Sequence, residues 1–151
     1  MKPAEPLALN HSWPLFERDL RFDLGCLDAP DVTGAEPNDA WLVARGMGRW
    51  SCDLESEGLS WSTGVYRLFD WPQGRSPARR DALPFYRPES LSALERLRSH
   101  AIRHRRGFTI DAQIHASSGS RWLRVICAPQ CQGGRVVALH GLKMDVSAQY
   151  C

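Results

Sequence analysis

The sequence predicts an α+β fold, in which five antiparallel strands form one sheet and helices pack on one of its faces, preceded by an N-terminal extension. Two short strand patterns and a short helix pattern occupy residues 47–69. An amphipathic helix pattern follows at residues 88–105. Three strand patterns separated by tight turns then run from residue 108 to residue 145. This order of strands and helices favours a single antiparallel sheet over a βαβ arrangement.

Length and composition limit the classes of protein to which this chain can belong. It has 151 residues, 43% of them hydrophobic, which is enough for one buried core. It contains no apolar run of membrane-spanning length, and residues 1–6 lack the apolar stretch of a secretory signal. The five cysteines are odd in number and irregularly spaced, unlike a disulfide framework. We therefore expect a cytoplasmic protein with reduced thiols and no membrane partner.

The N-terminal part of the chain is predicted to differ from the rest. Residues 1–40 are assigned to an extension or linker, and residues 41–151 to the main domain. Residues 28–39 are rich in turn-forming residues, which is typical of a linker. Before them, residues 19–24 alternate polar and apolar side chains like a half-buried strand. The alternative is a short helix whose apolar stripe would consist of Leu15, Phe16, Leu20 and Leu27.

Local signals place the helices of the main domain. Ser62 or Thr63 can cap a helix at residues 65–69, since either hydroxyl can accept a hydrogen bond from a free backbone N–H of the first turn. Pro88 suits the first position of the long helix, and Gly107 is the expected stop. The apolar stripe of this helix consists of Leu91, Leu94, Leu97, Ala101 and Ile102.

Catalytic and metal-binding motifs are absent from the sequence. We find no Gly-x-Ser-x-Gly, no phosphate-binding glycine loop and no carboxylate pair at a recognised spacing. His100 and His104 share one helix face and could hold a metal, but no third ligand follows them. Cys127 and Cys131 are four residues apart, which is not the spacing of a zinc knuckle. We therefore predict that the protein is not an enzyme and has no metal site.

A basic helix end raises the alternative of nucleic-acid binding. Residues 96–106 contain five arginines, and such a helix can bind phosphate groups. No nucleic-acid-binding motif accompanies them, and a solvated helix face explains the same pattern. A basic adaptor that uses Arg98, Arg103, Arg105 and Arg106 is therefore an alternative function, and nucleic acid is not the partner we expect.

Five segments, taken in order, resemble the PAS domain family. Residues 46–50 resemble its first strand, and residues 59–69 resemble its second strand and first helix. Residues 108–114 resemble the third strand, including the acidic position at Asp111, and residues 119–122 resemble the Gly–Arg-Trp entry to the fourth strand. The resemblance covers roughly residues 40–148. It departs from the family at residues 87–90, where Arg-Pro-Glu-Ser replaces the usual His-Pro-Asp-Asp.

The end of the chain specifies the resemblance further. Asp145, Val146 and Ser147, preceded by Gly141, resemble the Asp-Ile-Thr-like motif that ends a bacterial subclass of PAS domains. Members of this subclass often precede histidine kinases or diguanylate cyclases, and the motif relays their signal. The chain stops six residues after Asp145, as either a piece of a longer protein or a free-standing protein that acts by association would. The start at Met1 and the unusual N-terminal extension favour the free-standing protein.

The resemblance implies a sensory or regulatory domain of bacterial signal transduction, such as two-component regulation. It would act by ligand- or partner-dependent protein–protein interaction, as a homodimer and with a histidine kinase or diguanylate cyclase as partner. Residues 7–45 and the outer sheet face would form the contact surface. No cofactor is required. Haem bound through His100 or His104, or another small ligand, is an alternative, whereas the Asn-Cys-Arg motif of flavin-binding relatives is absent.

A set of largely aromatic residues has two interpretations. It can be a packed core, which any domain of this size needs. It can also line a cavity between the sheet and the helices that takes an apolar or flat ligand. The candidate pocket consists of Trp50, Cys52, Trp61, Tyr66, Phe69, Phe85, Phe108, Ile110 and Trp122.

Overall fold

The structure, a computed structural model, describes residues 11–22 and 39–150 and is built around one antiparallel sheet. The strands are β1 Ser12–Pro14, β2 Met47–Asp53, β3 Leu59–Trp61, β4 Arg106–Ala116, β5 Gly119–Gln132 and β6 Arg135–Asp145. Their spatial order is β1-β4-β5-β6-β2-β3. Five of these strands were predicted. The sixth, β1, comes from the N-terminal extension and pairs with the edge of β4.

Helices lie between the strands, largely where the sequence predicts them. The helices are α1 Arg18–Arg21, α2 Asp39–Ala44, α3 Thr63–Phe69, α4 Arg79–Ala82 and α5 Pro88–His104. Single 3-10 turns cover Leu15–Glu17, Leu83–Phe85 and Ser147–Tyr150. Pro88 begins α5 as predicted, whereas α4 lies in a proline-rich stretch for which no helix was predicted.

Helices α3, α4 and α5 pack on one face of the sheet, which we call the inner face. Side chains of β4 and β5 alternate between the two faces, and those on the inner face are apolar. Cys52 and Cys127 fill small positions in this core, and burial raises the pKa of both thiols. The most deeply buried members of the core are Val65, Phe69, Leu97, Ala112, Ile114, Leu123, Val125 and Cys127.

The opposite, outer face of the sheet is also buried in part. On this face, Ile126 and Leu142 pack against Trp13, Leu42 and Met47. The described part of the extension, through Trp13, therefore covers apolar side chains of its own chain. A cavity of about 460 Å³ lies between this covering and the sheet. The sequence suggests that the outer face belongs to a contact surface. The structure shows instead that the chain itself covers part of this face.

Trp13 anchors the extension. It is 2% exposed, and its indole Nε1 donates to Thr109 Oγ1 at 3.0 Å. The ring lies so close to Gly107 that a Cβ at that position would come within 2.2 Å of ring carbons. Gly107 was predicted to stop α5, but it lies in β4 and serves this contact. The helix ends at Arg105, which has a left-handed conformation with φ of 54°.

Two further local predictions were wrong in part. Of the strand pattern at residues 19–24, residues 19–21 lie in α1 and residues 23 and 24 lie outside the described residues. Phe16 and Leu20 are 87% and 70% exposed, so these two members of the proposed helical stripe are not buried. Leu27, residues 28–38 and Cys151 lie outside the described residues. Ser62 occupies the N-cap position of α3, but its Oγ accepts from the backbone N–H of Arg49 at 2.8 Å and bonds no helix N–H.

Replacing Trp13 tests whether the extension stabilises the sheet. We expect Trp13→Ala to lower the free energy of unfolding by about 3 kcal/mol or more, because it removes a large buried side chain and exposes the outer face. Urea denaturation measures this loss. The matched control is Phe16→Ala, which should change stability by less than about 0.5 kcal/mol, since Phe16 is exposed. Similar losses in the two variants would contradict the anchoring role.

Candidate functional site

One lysine lies inside the core, between the sheet and the helices. Lys143 is on the inner face of β6, in register with Gly48 of β2 and Val125 of β5. It is 8% exposed and is the one charged residue classed as buried in the described part of the chain. Burying an ammonium group is costly unless other groups replace its hydration, so the surroundings of this side chain are of special interest.

Four aromatic rings surround the Lys143 ammonium group. Nζ lies 5.0 Å from the ring centre of Phe69, 5.2 Å from Trp50, 5.7 Å from Tyr86 and 6.0 Å from Trp61. It donates one hydrogen bond, to the Tyr86 hydroxyl oxygen at 3.0 Å. No carboxylate of residues 11–22 or 39–150 lies within ion-pair distance of it. Cation–π attraction and one phenol therefore stabilise this charge.

Close backbone packing brings the rings of this aromatic cage together. At Gly48, a Cβ would come within 2.4 Å of the Val65 backbone nitrogen, so α3 approaches β2 closely and carries Phe69 inward. Trp50 lies opposite Gly141 on β6 and donates from Nε1 to the Leu142 carbonyl at 3.3 Å. At Gly141, a Cβ would come within 1.7 Å of the Ile126 carbonyl oxygen, so this glycine allows the backbone of β5 to approach β6 closely.

A small cavity opens next to Lys143. Its volume is about 70 Å³, and its charged lining residues besides Lys143 are Arg79, Glu95 and Arg98. Arg79 pairs with Glu95, and Arg98 pairs with Glu57 at 3.2 Å. Ligand sites that hold a drug-sized molecule or cofactor usually measure roughly 300 Å³ or more. A haem or a flavin does not fit the cavity in this conformation.

The predicted pocket residues fall into two groups on the inner face. Trp50, Cys52 and Phe108 line the cavity itself. The others on this face belong to the surrounding core: Trp61 stacks on Phe69 at 4.8 Å with an interplanar angle of 19°. The remaining members of this second group are Tyr66, Phe85 and Ile110.

Trp122 does not belong to the pocket. It lies on the outer face of β5, because its neighbour Leu123 points into the inner core and side chains alternate along a strand. Its ring stacks on Tyr150 at 4.2 Å with an interplanar angle of 9°. Trp122 thus contacts the C-terminal turn, where the predicted relay motif lies.

Hydrogen bonds of the predicted relay residues hold the C-terminal turn to β5. The Asp145 Oδ1 atom accepts from the backbone N–H of Ser147 at 2.8 Å. Ser147 Oγ accepts from the backbone N–H of Trp122 at 2.9 Å, and the Val146 N–H donates to the Trp122 carbonyl at 2.8 Å. Each of the three residues therefore takes part in one connected arrangement, which joins the end of β6 to the middle of the sheet.

Asp111 clamps the same turn from the side. Arg124 donates to its two carboxylate oxygens at 2.8 and 3.0 Å, and the Tyr150 hydroxyl donates to Oδ2. Burial favours the neutral acid, but the hydrogen bonds outweigh it and lower the pKa of Asp111. Burial and the bond to Asp111 raise the pKa of Tyr150 to about 12. The clamp therefore needs an ionised Asp111 and a protonated Tyr150.

The histidines of α5 lie apart from the cavity. The rings of His100 and His104 are tilted by 42° with their centres 4.5 Å apart, and neither residue lines the cavity. Burial, together with His104 and Arg106, lowers the pKa of His100. Within the described ranges no three potential metal ligands form a group, and no helix is long and apolar enough to cross a bilayer.

The arginines of the basic helix end are largely engaged in internal contacts. Arg98 pairs with Glu57, Arg105 donates to the Gly134 carbonyl at 2.8 Å, and Arg106 donates to Ser12 Oγ at 2.7 Å. Arg103 is exposed. Three of the four arginines considered for phosphate binding therefore stabilise the fold.

Sequence reasoning missed Lys143, the central residue of the site. A signal was present, since Lys143 is one of only two lysines in an arginine-rich chain and interrupts an apolar strand. Lys143 lies four residues after Leu139, so the two side chains are on the same, core-facing side of β6, where a lysine is unusual. What surrounds it could not be derived from that spacing.

Replacing Tyr86 tests how the buried ammonium group is stabilised. We expect Tyr86→Phe to lower the free energy of unfolding by about 1–3 kcal/mol, because Lys143 loses its hydrogen-bond acceptor. The double variant with Lys143→Met should lose less, since no buried charge remains. Chemical denaturation measures both. Tyr66→Phe, which removes a half-buried hydroxyl elsewhere in the aromatic cluster, is the control, and an equal loss there would contradict this role of Tyr86.

The clamp predicts an acid-dependent contribution to stability. The folded-state pKa of Asp111 lies below its unfolded value, so its contribution is present above about pH 4 and is lost as the pH falls through the folded-state pKa. Between pH 6 and pH 3, wild type should therefore lose more unfolding free energy than Asp111→Asn. Asp19→Asn is the control, since that side chain is 93% exposed, and it should behave as wild type. An unchanged pH profile in Asp111→Asn would refute the clamp.

Comparison with known proteins identifies the fold. Neither a protein-family model nor a curated protein matches the sequence. One similar solved structure is the N-terminal domain of a diguanylate cyclase with a PAS/PAC sensor from Marinobacter aquaeolei. It is 18% identical with a TM-score of 0.63, and the match covers 70% of this chain and 99% of that one.

Two further structures agree. A sensory box histidine kinase/response regulator from Burkholderia thailandensis is 14% identical, with a TM-score of 0.62 over 74% of this chain and 85% of that one. The LOV domain of a blue-light activated histidine kinase from Erythrobacter litoralis is 15% identical, with a TM-score of 0.53 over 67% of this chain and 96% of that one. The chain therefore has the PAS fold that its sequence predicts.

Proposed function

We propose that this chain is a sensory or regulatory PAS domain of bacterial signal transduction. It changes its contacts with other proteins when a ligand or a partner binds, and it catalyses no reaction. The observation that carries the proposal is the course of β6. This strand holds Lys143 beside the inner cavity and, two residues later, begins the relay motif at Asp145.

The signal would travel along β6. A ligand in the cavity contacts the Lys143 ammonium group beside Tyr86, and any change at that contact acts on the strand that carries Asp145. Such a change would strengthen or weaken the hydrogen bond between Asp145 and Ser147 and the one between Ser147 and Trp122, which hold the C-terminal turn. Ligand binding would thus shift a balance between two arrangements of the turn, which is how small local changes alter protein contacts.

The partners we propose follow from the fold and from one exposed surface. The similar structures named above come from a diguanylate cyclase and from histidine kinases, so an output protein of either type suits this chain. Phe16 and Leu20 are large, apolar and exposed on the N-terminal extension, which favours a homodimer contact there. We place this activity in the cytoplasm.

The two alternative functions receive less support. A cavity of about 70 Å³ without a histidine in its lining favours a small organic ligand over haem. A nucleic-acid adaptor would have to bind phosphate with arginines that already pair within the fold, as Arg98 does with Glu57. The small-ligand sensor is therefore the form of the proposal that we develop.

A fusion protein tests the relay. The full chain replaces the sensor domain of a histidine kinase, and autophosphorylation is measured for wild type and Ser147→Ala. We expect a change of about fivefold, the lower end of ordinary allosteric coupling, because the turn loses its bond to Trp122. Ser99→Ala, an exposed position on α5, is the matched control and should equal wild type. Equal activity in all three proteins would overturn the relay.

A further inference from the structure

We propose that the inner cavity binds a small monocarboxylate of two to four carbons, with its carboxylate on the Lys143 ammonium group. This inference names the ligand class of the sensory site, and only its signalling consequence rests on the proposed function. Charge, hydrogen-bonding capacity and cavity size each lead to this class.

The first argument is the unbalanced charge. A buried ammonium group normally has a carboxylate partner, because burying a single unpaired charge removes its hydration at a cost on the order of several kcal/mol. Rings and one phenol surround Lys143, and in the described residues no acid takes the place of that partner. A carboxylate in the adjacent cavity would supply the missing negative charge and form a charge-assisted hydrogen bond.

The second argument is the direction of the available donors. An ammonium group has three donor hydrogens, and Lys143 uses one of them on the Tyr86 oxygen. Tyr86 accepts that bond, so its own O–H is left to donate, and both residues line the cavity. The Lys143 ammonium group and the Tyr86 hydroxyl are thus two neighbouring donors, which match the two oxygens of a carboxylate. A neutral amide of the same shape would place an NH₂ group against one of these donors.

The third argument is the charge around the cavity as a whole. Arg79, Arg98 and Lys143 face one carboxylate, Glu95, in the lining. Arg79 pairs with Glu95, and Arg98 pairs with Glu57, so within the described ranges Lys143 is the one base of the lining without an acidic partner and supplies the remaining positive charge. This arrangement favours an anion over a cation and over a neutral molecule.

Size and polarity select among anions. The cavity of about 70 Å³ is far below the roughly 300 Å³ at which sites for drug-sized ligands begin, so a ligand has only a few heavy atoms. Apart from the charged groups, its walls are mostly apolar, which favours a short hydrocarbon tail over a fully polar anion such as nitrate. The apolar wall residues are Leu59, Ala82, Leu83, Leu94, Phe108, Val125 and Leu139.

Calorimetric titration of the full chain with propionate and with propionamide tests the assignment. The two molecules have nearly the same shape, and we expect propionate to bind at least about tenfold more tightly, the equivalent of about 1.4 kcal/mol. Hexanoate should bind at least as weakly as propionamide because the cavity cannot hold its tail. Equal affinities for propionate and propionamide, or tight binding of hexanoate, would overturn the proposal without any variant.

Variants then locate the site. Lys143→Met should abolish propionate binding, whereas Tyr66→Phe, which leaves the cavity lining intact, should retain it. Undiminished binding by Lys143→Met would place the ligand elsewhere and refute the inference. If wild type binds no short carboxylate, the proposed ligand class is wrong. The relay is still tested separately by the Ser147→Ala variant of the histidine kinase fusion. Conversely, propionate binding without altered amide exchange at Trp122 and Val146 confirms the site and contradicts its coupling to the turn.

Discussion

The unpaired charge of a buried lysine constrains the inner half of this protein. An ammonium group can remain inside a core only if other groups replace its hydration, and here four rings do so, one of which, Tyr86, also accepts its hydrogen bond. That requirement explains why large aromatic residues from β2, β3, α3 and the segment before α5 converge on one point. It also explains why glycines stand beside them: Gly48 and Gly141 allow the backbone to approach closely enough for the rings to reach Lys143.

The outer half depends on a different contact. Trp13 lies flat against Gly107 and brings the N-terminal extension over the sheet, so that both faces of the sheet are covered by parts of one chain. A sheet buried on both faces can carry apolar residues at successive positions, as β5 does from Leu123 to Pro129 with only Arg124 half-buried among them. Among the described residues, the exposed large hydrophobic side chains are Phe16 and Leu20 of the extension and Tyr150 of the C-terminal turn.

Strand β6 connects the inner half of the protein, where Lys143 lies, to the C-terminal turn. Strand pairing on both sides makes β6 a rigid element, with Lys143 at the cavity and Asp145 at the start of the turn. A ligand that changes one end of a rigid element can alter the other without rearrangement of the core. The turn is held to the sheet by the hydrogen bonds of Asp145, Val146 and Ser147, by the bond from Tyr150 to Asp111 and by one ring stack.

The sequence by itself determined the α+β fold, five of the six strands and the start of α5 at Pro88, because these depend on local periodicity and on turn residues. Only the tertiary structure decided which distant side chains meet. Lys143 bonds to Tyr86, 57 residues earlier, and Trp13 bonds to Thr109, 96 residues later. Periodicity indicates the face on which a residue lies, as it does for Trp122, but strand order and helix approach decide its neighbours. For this reason the candidate site, unlike the fold, emerged only when the chain was seen in three dimensions.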